Sequence, residues 1–370
     1  MGNKLPYSPG LIGNGKEGVG AFCLKDAEAT SEGAGFGPIF LGAGGSAFAM
    51  LAAMRMLSCI VDEPFVGQTV EFVLRTKLFV SRRGVRHARH VPGGVLLDGV
   101  QCRTDVAVTL GQEVSICISD EHVATKVSQV NPEPGPLDVV FEDEDLIVVN
   151  KPAGLVMHPS RGHHDGTMIN FLVHYLKRTG RSCNPHPVSR LDQGTTGLVI
   201  FTTSGYAQDR LQDQLHSPSF ERAYLALCRG SFEYRSGLVD APIGRVEDLP
   251  SSFDVTPDGK HAVTHYRVLA TFDVEGEGSV SLVKLVLETG RTHQIRVHMK
   301  HLGHPLLGDA AYGSPSILID RPCLHSWSVR ADHPVTRERF EVCAPLPPDM
   351  AALVPKVLRD VLPDGIFANE

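Results

Sequence analysis

Two long runs constrain this chain most. THYRVLATF (Thr264–Phe272) and SVSLVKLVLE (Ser279–Glu288) each alternate apolar and polar residues with period two. That spacing puts successive side chains on opposite faces, as in paired antiparallel strands. Further strand-like text follows the same logic. LDVVFEDEDLIVVNKP (Leu137–Pro152) holds two β-branched runs around an acidic turn, and TGLVIFTT (Thr196–Thr203) and RAYLALCR (Arg222–Arg229) read as buried strands. Helical spacing is rarer. Thr167 is placed to cap a helix presenting Ile169, Leu172, Val173 and Leu176, with Gly180 as its stop. Ser204 caps a second, and a third begins after Arg291 and ends at Gly303. Strands outnumber helices without alternating with them. The expectation is an α+β fold with a mixed, largely antiparallel sheet and flanking helices, not a doubly wound parallel one.

With 370 residues the chain is long enough for two domains. Residues 1–56 are rich in Gly, Ala and Ser without a period, and read as poorly ordered or as an extension. Residues 57–122 read as a small α/β domain, with Asp98-Gly99 as a hairpin turn. Residues 123–136 carry prolines and read as a linker. Residues 137–350 form the large domain, and 351–370 read as a C-terminal tail. No apolar run is long enough to span a bilayer; the nearest, Gly42–Val61, carries Arg55. The eight cysteines form no CxxC pair, so they read as reduced core residues of a cytoplasmic protein, and no zinc ribbon is expected.

The net charge of −7 does not by itself suggest a polyanion partner. Charge is local, however. Between Glu71 and Asp105 seven bases (Arg75, Lys77, Arg82, Arg83, Arg86, Arg89 and Arg103) face three acids, with His87 and His90 among them. This is a candidate phosphate-binding face; a solvated helix face explains the charge equally well.

Three segments of the large domain carry candidate chemistry. In SRLDQGTTGLVIF (Ser189–Phe201), Arg190 and Asp192 precede a turn into a buried strand. There Thr195, Thr196 and backbone N–H groups are candidates to hold the carboxylate ionised. In ERAYLALCRG (Glu221–Gly230), Tyr224 interrupts an apolar strand, where it is suited to stack on a base and offer its hydroxyl for proton transfer, or is simply a core tyrosine. In ETGRTHQIRVHMKHLGHPLLGDAAYG (Glu288–Gly313), Arg291 enters a helix bearing Arg296, His298, Lys300 and His301. That helix suits a phosphate backbone, with Arg296 and Lys300 as contacts. Taken singly, each segment is better explained as a turn cap, a core residue or a solvated face.

Taken together and in order, these segments resemble the RluA family of pseudouridine synthases. NKPAGLVMHP, SRLDQGTTGLVIF, ERAYLALCRG, APIGR, THYRVL, LETGRTHQIRVHMKHLGHPLLGDAAYG and CLHSWSV have counterparts in family order, across residues 137–347. The resemblance implies the pseudouridine synthase fold and isomerisation of uridine in RNA without a cofactor or metal. It implies Asp192 as nucleophile, Arg190 as the residue filling the gap left by the flipped base, Tyr224 as the stacking tyrosine and Arg291 as the partner of Asp192. The module at 57–122 resembles, more weakly, an S-four-type RNA-binding domain. A monomer acting on ribosomal or transfer RNA is expected, with the ribosomal substrate favoured. Two departures stand out: Ser189 replaces the family's usual histidine, and Thr195-Thr196-Gly197 replaces its Thr-Ser-Gly.

Two other classes compete. A metal-dependent hydrolase would use His293, His298, His301 and His304, but no HExxH is present and few acids lie nearby. A catalytically silent RNA-binding or ribosome-assembly protein would not need to retain Asp192, Arg190, Tyr224 and Arg291.

Overall fold

A computed structural model describes residues 54–119, 130–159, 164–181, 183–246, 249–313, 315–362 and 365–367. The proposed extension at 1–56 and the first part of the linker fall almost wholly outside these residues.

The small N-terminal module starts with β1 (Met56–Ile60) and two short helices, α1 (Val70–Thr76) and α2 (Arg82–Ala88). Strands β2 (Val95–Leu97), β3 (Val100–Gln101) and β4 (Glu113–Cys117) complete an antiparallel sheet in the order β1-β4-β2-β3. Thr69 and Ser81 accept the N–H of Phe72 and Gly84, capping the helices. Asp98 and Gly99 both have positive φ, 50° and 77°, as a two-residue hairpin turn requires. Val70, Val73, Leu74, Val85, Val114 and Ile116 close a core between helices and sheet.

The large domain opens with β5 (Val139–Glu142), β6 (Leu146–Lys151) and α3 (Met168–Arg178). Next come β7 (His186–Pro187), β8 (Thr196–Thr202), α4 (Gly205–Gln214) and β9 (Glu221–Arg229). Then follow β10 (Ser236–Asp240), β11 (Ile243–Val246), β12 (Leu249–Val255), β13 (Val263–Val274) and β14 (Gly278–Leu287). Helix α5 (Gln294–His301), β15 (Leu324–Asp332), β16 (Arg339–Cys343) and α6 (Pro348–Ala351) end the sequence of main elements. The main sheet has ten strands along the path β10-β13-β14-β9-β15-β8-β6-β5, with β7 beside β8 and β16 beside β15. Its one parallel pair is β8 with β15; its other pairs are antiparallel. The mixed, largely antiparallel α+β architecture is as expected.

Both faces of the sheet centre are covered, which is why β8 is buried at all seven positions. Ile147, Val149, Val199, Phe201 and Ala226 face α3 and α5, while Leu146, Val148, Leu198 and Ile200 face α4. Each such side chain contributes roughly 1.5–3 kcal/mol on burial.

Parts of the linker and tail stretches pack against the large domain. Residues 130–136 lie along α3: Glu133 N–H donates to the Asn170 carbonyl and Asn170 Nδ2 to that of Asn131. A proline-rich segment with few donors of its own is held by a helix side chain. The described part of the stretch read as a C-terminal tail packs on the sheet. Val354 and Ile366 are buried with Met350 and Trp327, whose indole N–H donates to the Gly365 carbonyl at 2.8 Å.

The N-terminal module is docked on the large domain. Phe79, held at φ 57°, has the guanidinium groups of Arg210 and Arg337 at 4.8 and 4.7 Å from its ring centre. Beside it the Tyr206 hydroxyl donates to the Leu78 carbonyl at 3.0 Å, and Tyr206 itself joins the module's core.

At the parallel junction Gly197 lies opposite Ser326 with φ 106°. A Cβ there would meet the Ser326 carbonyl oxygen at 2.2 Å. Gly197→Ala is expected to cost about 3 kcal/mol or more, from backbone strain plus overpacking. Urea unfolding reads this directly, and a loss below about 0.5 kcal/mol would contradict the close approach.

Candidate active site

The turn before β8 presents Asp192 on the wall of a cavity of about 730 Å³. Arg190, Tyr224, Arg291, His293 and Arg296 line the same cavity. The Asp192 N–C backbone is set by a turn in which Thr195 N–H donates to the Asp192 carbonyl. The loop is tied from below by Lys151, at the end of β6. Its ammonium is fully enclosed and donates to the carbonyls of Pro152 (2.9 Å) and Gln193 (3.0 Å). Burial pushes this ammonium down to about 8, with the charge of Asp192 pulling it back up.

Asp192 Oδ2 lies 3.7 Å from Arg296 Nη1 and 3.8 Å from His293 Nε2. Arg296 is buried on the inner face of α5 and gives both arms of its fork to Asp309, at 2.7 and 2.8 Å. Its guanidinium also lies over the Tyr312 ring, 4.7 Å from the centre. His293 sits in the left-handed region, φ 58°, as N-cap of α5, with Nδ1 sharing a hydrogen bond with the Tyr312 hydroxyl at 2.8 Å. Burial lowers the His293 pKa, opposed by Asp192. Tyr224 is 5% exposed, and burial raises its phenol above the ordinary value. At neutral pH it is a neutral hydroxyl on an apolar ring, suited to stacking more than to accepting a proton.

Several expectations need correction. The guanidinium in ion-pair range of Asp192 is Arg296, five residues along from Arg291; Arg291 lines the cavity but gives its Nε to the His261 carbonyl at 2.9 Å. The cause is helical geometry: Arg291 lies in the loop before α5, whereas Arg296 points inward from its first turn. Arg296 is thus committed to Asp309, and Lys300 pairs with Asp254 at 2.7 Å. Thr196 does not hold the carboxylate; its hydroxyl is spent on Leu324 and His325. In the N-terminal module Lys77 is occupied by the Ile60 carbonyl and by Asp62 at 2.8 Å. Arg75, Arg82, Arg83, Arg86 and Arg89 are exposed, and so is Arg190 at the cavity edge.

His298 and His304 of the basic helix segment are engaged structurally. His298 is fully buried between Thr264 and the Ala241 carbonyl, and His304 stacks on Phe232. The described residues bring Asp143, Asp145 and His333 within metal-ligand range of one another. Yet His333 Nδ1 accepts the N–H groups of Val335 and Thr336, which leaves its proton on Nε2, facing Asp143. Arg55 already neutralises Asp145 at 3.0 Å. This donor set does not fit a cation.

Sequence reading missed Lys151, His293 and Arg222 as cavity or loop-anchoring groups. Lys151 was visible only as a lysine ending an apolar strand, a position where charge is rarely buried without purpose.

Comparison with known proteins follows the same residues. A family model described as RNA pseudouridylate synthase matches residues 145–301. The uncharacterized RNA pseudouridine synthase YhcT of Bacillus subtilis (strain 168) is 37% identical over 300 residues, 81% of this chain and 96% of that protein. Ribosomal large subunit pseudouridine synthase D of Escherichia coli (strain K12) is 38% identical over 319 residues, 82% of this chain and 95% of that one. Among solved structures, human RNA pseudouridylate synthase domain containing 1 aligns with a TM-score of 0.49 and 26% identity, over 62% of this chain and 96% of that one.

The buried lysine makes a pH prediction. Its folded pKa, about 8, lies below the ordinary 10.5. Between these values the unfolded chain keeps a proton that the folded chain has released, so this group's contribution to stability rises with pH. The difference in unfolding free energy between wild type and Lys151→Met should therefore grow from pH 8 to pH 10.5, with a slope approaching about 1.4 kcal/mol per pH unit. A flat difference across that window would refute the depressed pKa.

Proposed function

This chain belongs to the RNA pseudouridine synthases, and on that premise we propose that Asp192 is the nucleophile that opens the glycosidic bond of a flipped uridine. The observation that carries the reading is Asp192 on the wall of a cavity of about 730 Å³, with Arg296 3.7 Å away. The volume falls within the roughly 300–1,000 Å³ typical of ligand sites. A guanidinium fixed in place gives the carboxylate beside it a set direction, as a nucleophile needs.

The isomerisation breaks the bond from N1 to the anomeric carbon, turns the base and rejoins it through carbon 5; carbon 5 loses its proton and N1 gains one, so there is no net redox change and no cofactor is needed. The uridine first leaves its stack, at a cost of a few kcal/mol. Arg190, exposed at the cavity edge, offsets part of this by filling the gap. Tyr224 holds the uracil by stacking, about 1–3 kcal/mol. In this reading Arg291 guides the RNA strand and Arg296 is the partner of Asp192. No helix among the described residues is long and apolar enough to cross a membrane. The substrate is structured RNA, with ribosomal RNA favoured by the name of one relative and by the exposed arginines of the N-terminal module, which we read as an S-four-like RNA-binding domain. The enzyme is proposed to act as a cytoplasmic monomer.

In single-turnover assays on RNA, Asp192→Asn should abolish pseudouridine formation while binding persists; substantial residual turnover would remove Asp192 from its role. Arg296→Gln should lower the bound-state rate about 100-fold or more, while Arg291→Gln should act mainly on affinity. Pseudouridine maps of ribosomal and transfer RNA with and without the gene identify the target and expose a silent protein.

The module's share is read from salt. Replacing Arg82, Arg83, Arg86 and Arg89 together with Ala should flatten the plot of log affinity against log salt by about 3, at 0.7–0.9 per lost phosphate contact. An unchanged slope would place the RNA elsewhere.

A further inference from the structure

Among the described residues, three arginines of the large domain are buried. Arg296 has Asp309, and Arg321 has Asp349 at 2.7 and 2.8 Å. Arg222 has no such partner. It is 7% exposed, lines the cavity, and among the described residues donates no hydrogen bond and meets no carboxylate. Its Nε is buried with nothing to bond, and the guanidinium lies 5.8 Å from the centre of the Phe220 ring. The adjacent Glu221, which alternation turns to the opposite face, is used by Lys284 at 3.7 Å.

An uncompensated buried charge destabilises a fold, and it persists where a ligand supplies the opposite charge. The position of Arg222 says which ligand group this is. Arg222 and Tyr224 lie two residues apart on β9, so they share a face at a separation of about 6.6 Å. In register, Tyr224 is opposite Ser326, close to the Thr196–His325 junction that follows Asp192, while Arg222 is opposite Val329, farther from it. A base stacked on Tyr224 beside Asp192 therefore leaves Arg222 for a group beyond the reacting ring. On the loop side Gly290 passes beside it: a Cβ there would lie 3.5 Å from Arg222 Nη1.

We propose that Arg222 is the buried anchor for the phosphodiester flanking the flipped uridine, its fork bonding the two non-bridging oxygens. This rests on the uridine reading of the cavity and names a contact within it. Planar, bidentate recognition of this kind suits guanidinium better than ammonium.

The test combines protein and substrate changes. Arg222→Gln should weaken RNA binding about tenfold or more, while the single-turnover rate at saturating RNA stays within about fivefold. Arg222→Lys should recover part of the affinity. RNA carrying a neutral methylphosphonate at the linkage next to the target uridine should bind wild type more weakly, but should cost Arg222→Gln almost nothing further. Thermal unfolding supplies the control: with an unpaired buried charge removed, Arg222→Met should melt at or above the wild-type temperature. A variant that melts much lower or fails to fold would make Arg222 structural and overturn the proposal. So would unchanged affinity, or equal methylphosphonate penalties in wild type and variant. A large loss of rate with affinity intact would assign Arg222 to the charge on the departing uracil instead. Should wild type form no pseudouridine at all, the uridine reading fails on its own, because the binding and methylphosphonate arms still score the anchor.

Discussion

The site depends on one guanidinium shared between two carboxylates. Arg296 is locked by its two-pronged bond to Asp309 and lies over the Tyr312 ring, and from there it faces Asp192. Had Arg296 only Asp192 to bond, it would be free to close on it in a tight pair. With its fork already committed to Asp309, it approaches only to 3.7 Å. Asp309 thus shapes the electrostatics of a residue it does not touch.

Around that pair the sheet provides the rigidity. Asp192 precedes β8, whose parallel pairing with β15 brings Gly197 against Ser326 too closely for any side chain. Lys151 ties the same turn from the end of β6. The cavity floor comes from β9, and one wall from the start of α5. Elements far apart in sequence meet within a few ångströms, so the site inherits the stiffness of the covered sheet rather than the mobility of a loop.

The sequence made the strands legible because their period was clean: β13 and β14 alternate as their partners require. Helix starts were legible because Thr167 and Ser204 are chemical caps. The sites of Asp192 and Tyr224 came from the order of motifs, not from either residue alone. Illegible was whatever depended on direction. Arg291 and Arg296 are equally basic in a string; only the turn into α5 decides which points inward. The same holds for Lys77 and Lys300, whose charges are absorbed by acids distant in sequence, Asp62 and Asp254. Arg222 was invisible for the opposite reason, since its lack of a partner appears only once every neighbour is in place.

The seating of Phe79 between Arg210 and Arg337 fixes a distance. With that ring gripped and Leu78 bonded by Tyr206, the arginines of α2 stand at a set span from Asp192. If the module holds RNA as proposed, the molecule would measure as a caliper does, taking only a backbone and a uridine offered at that separation.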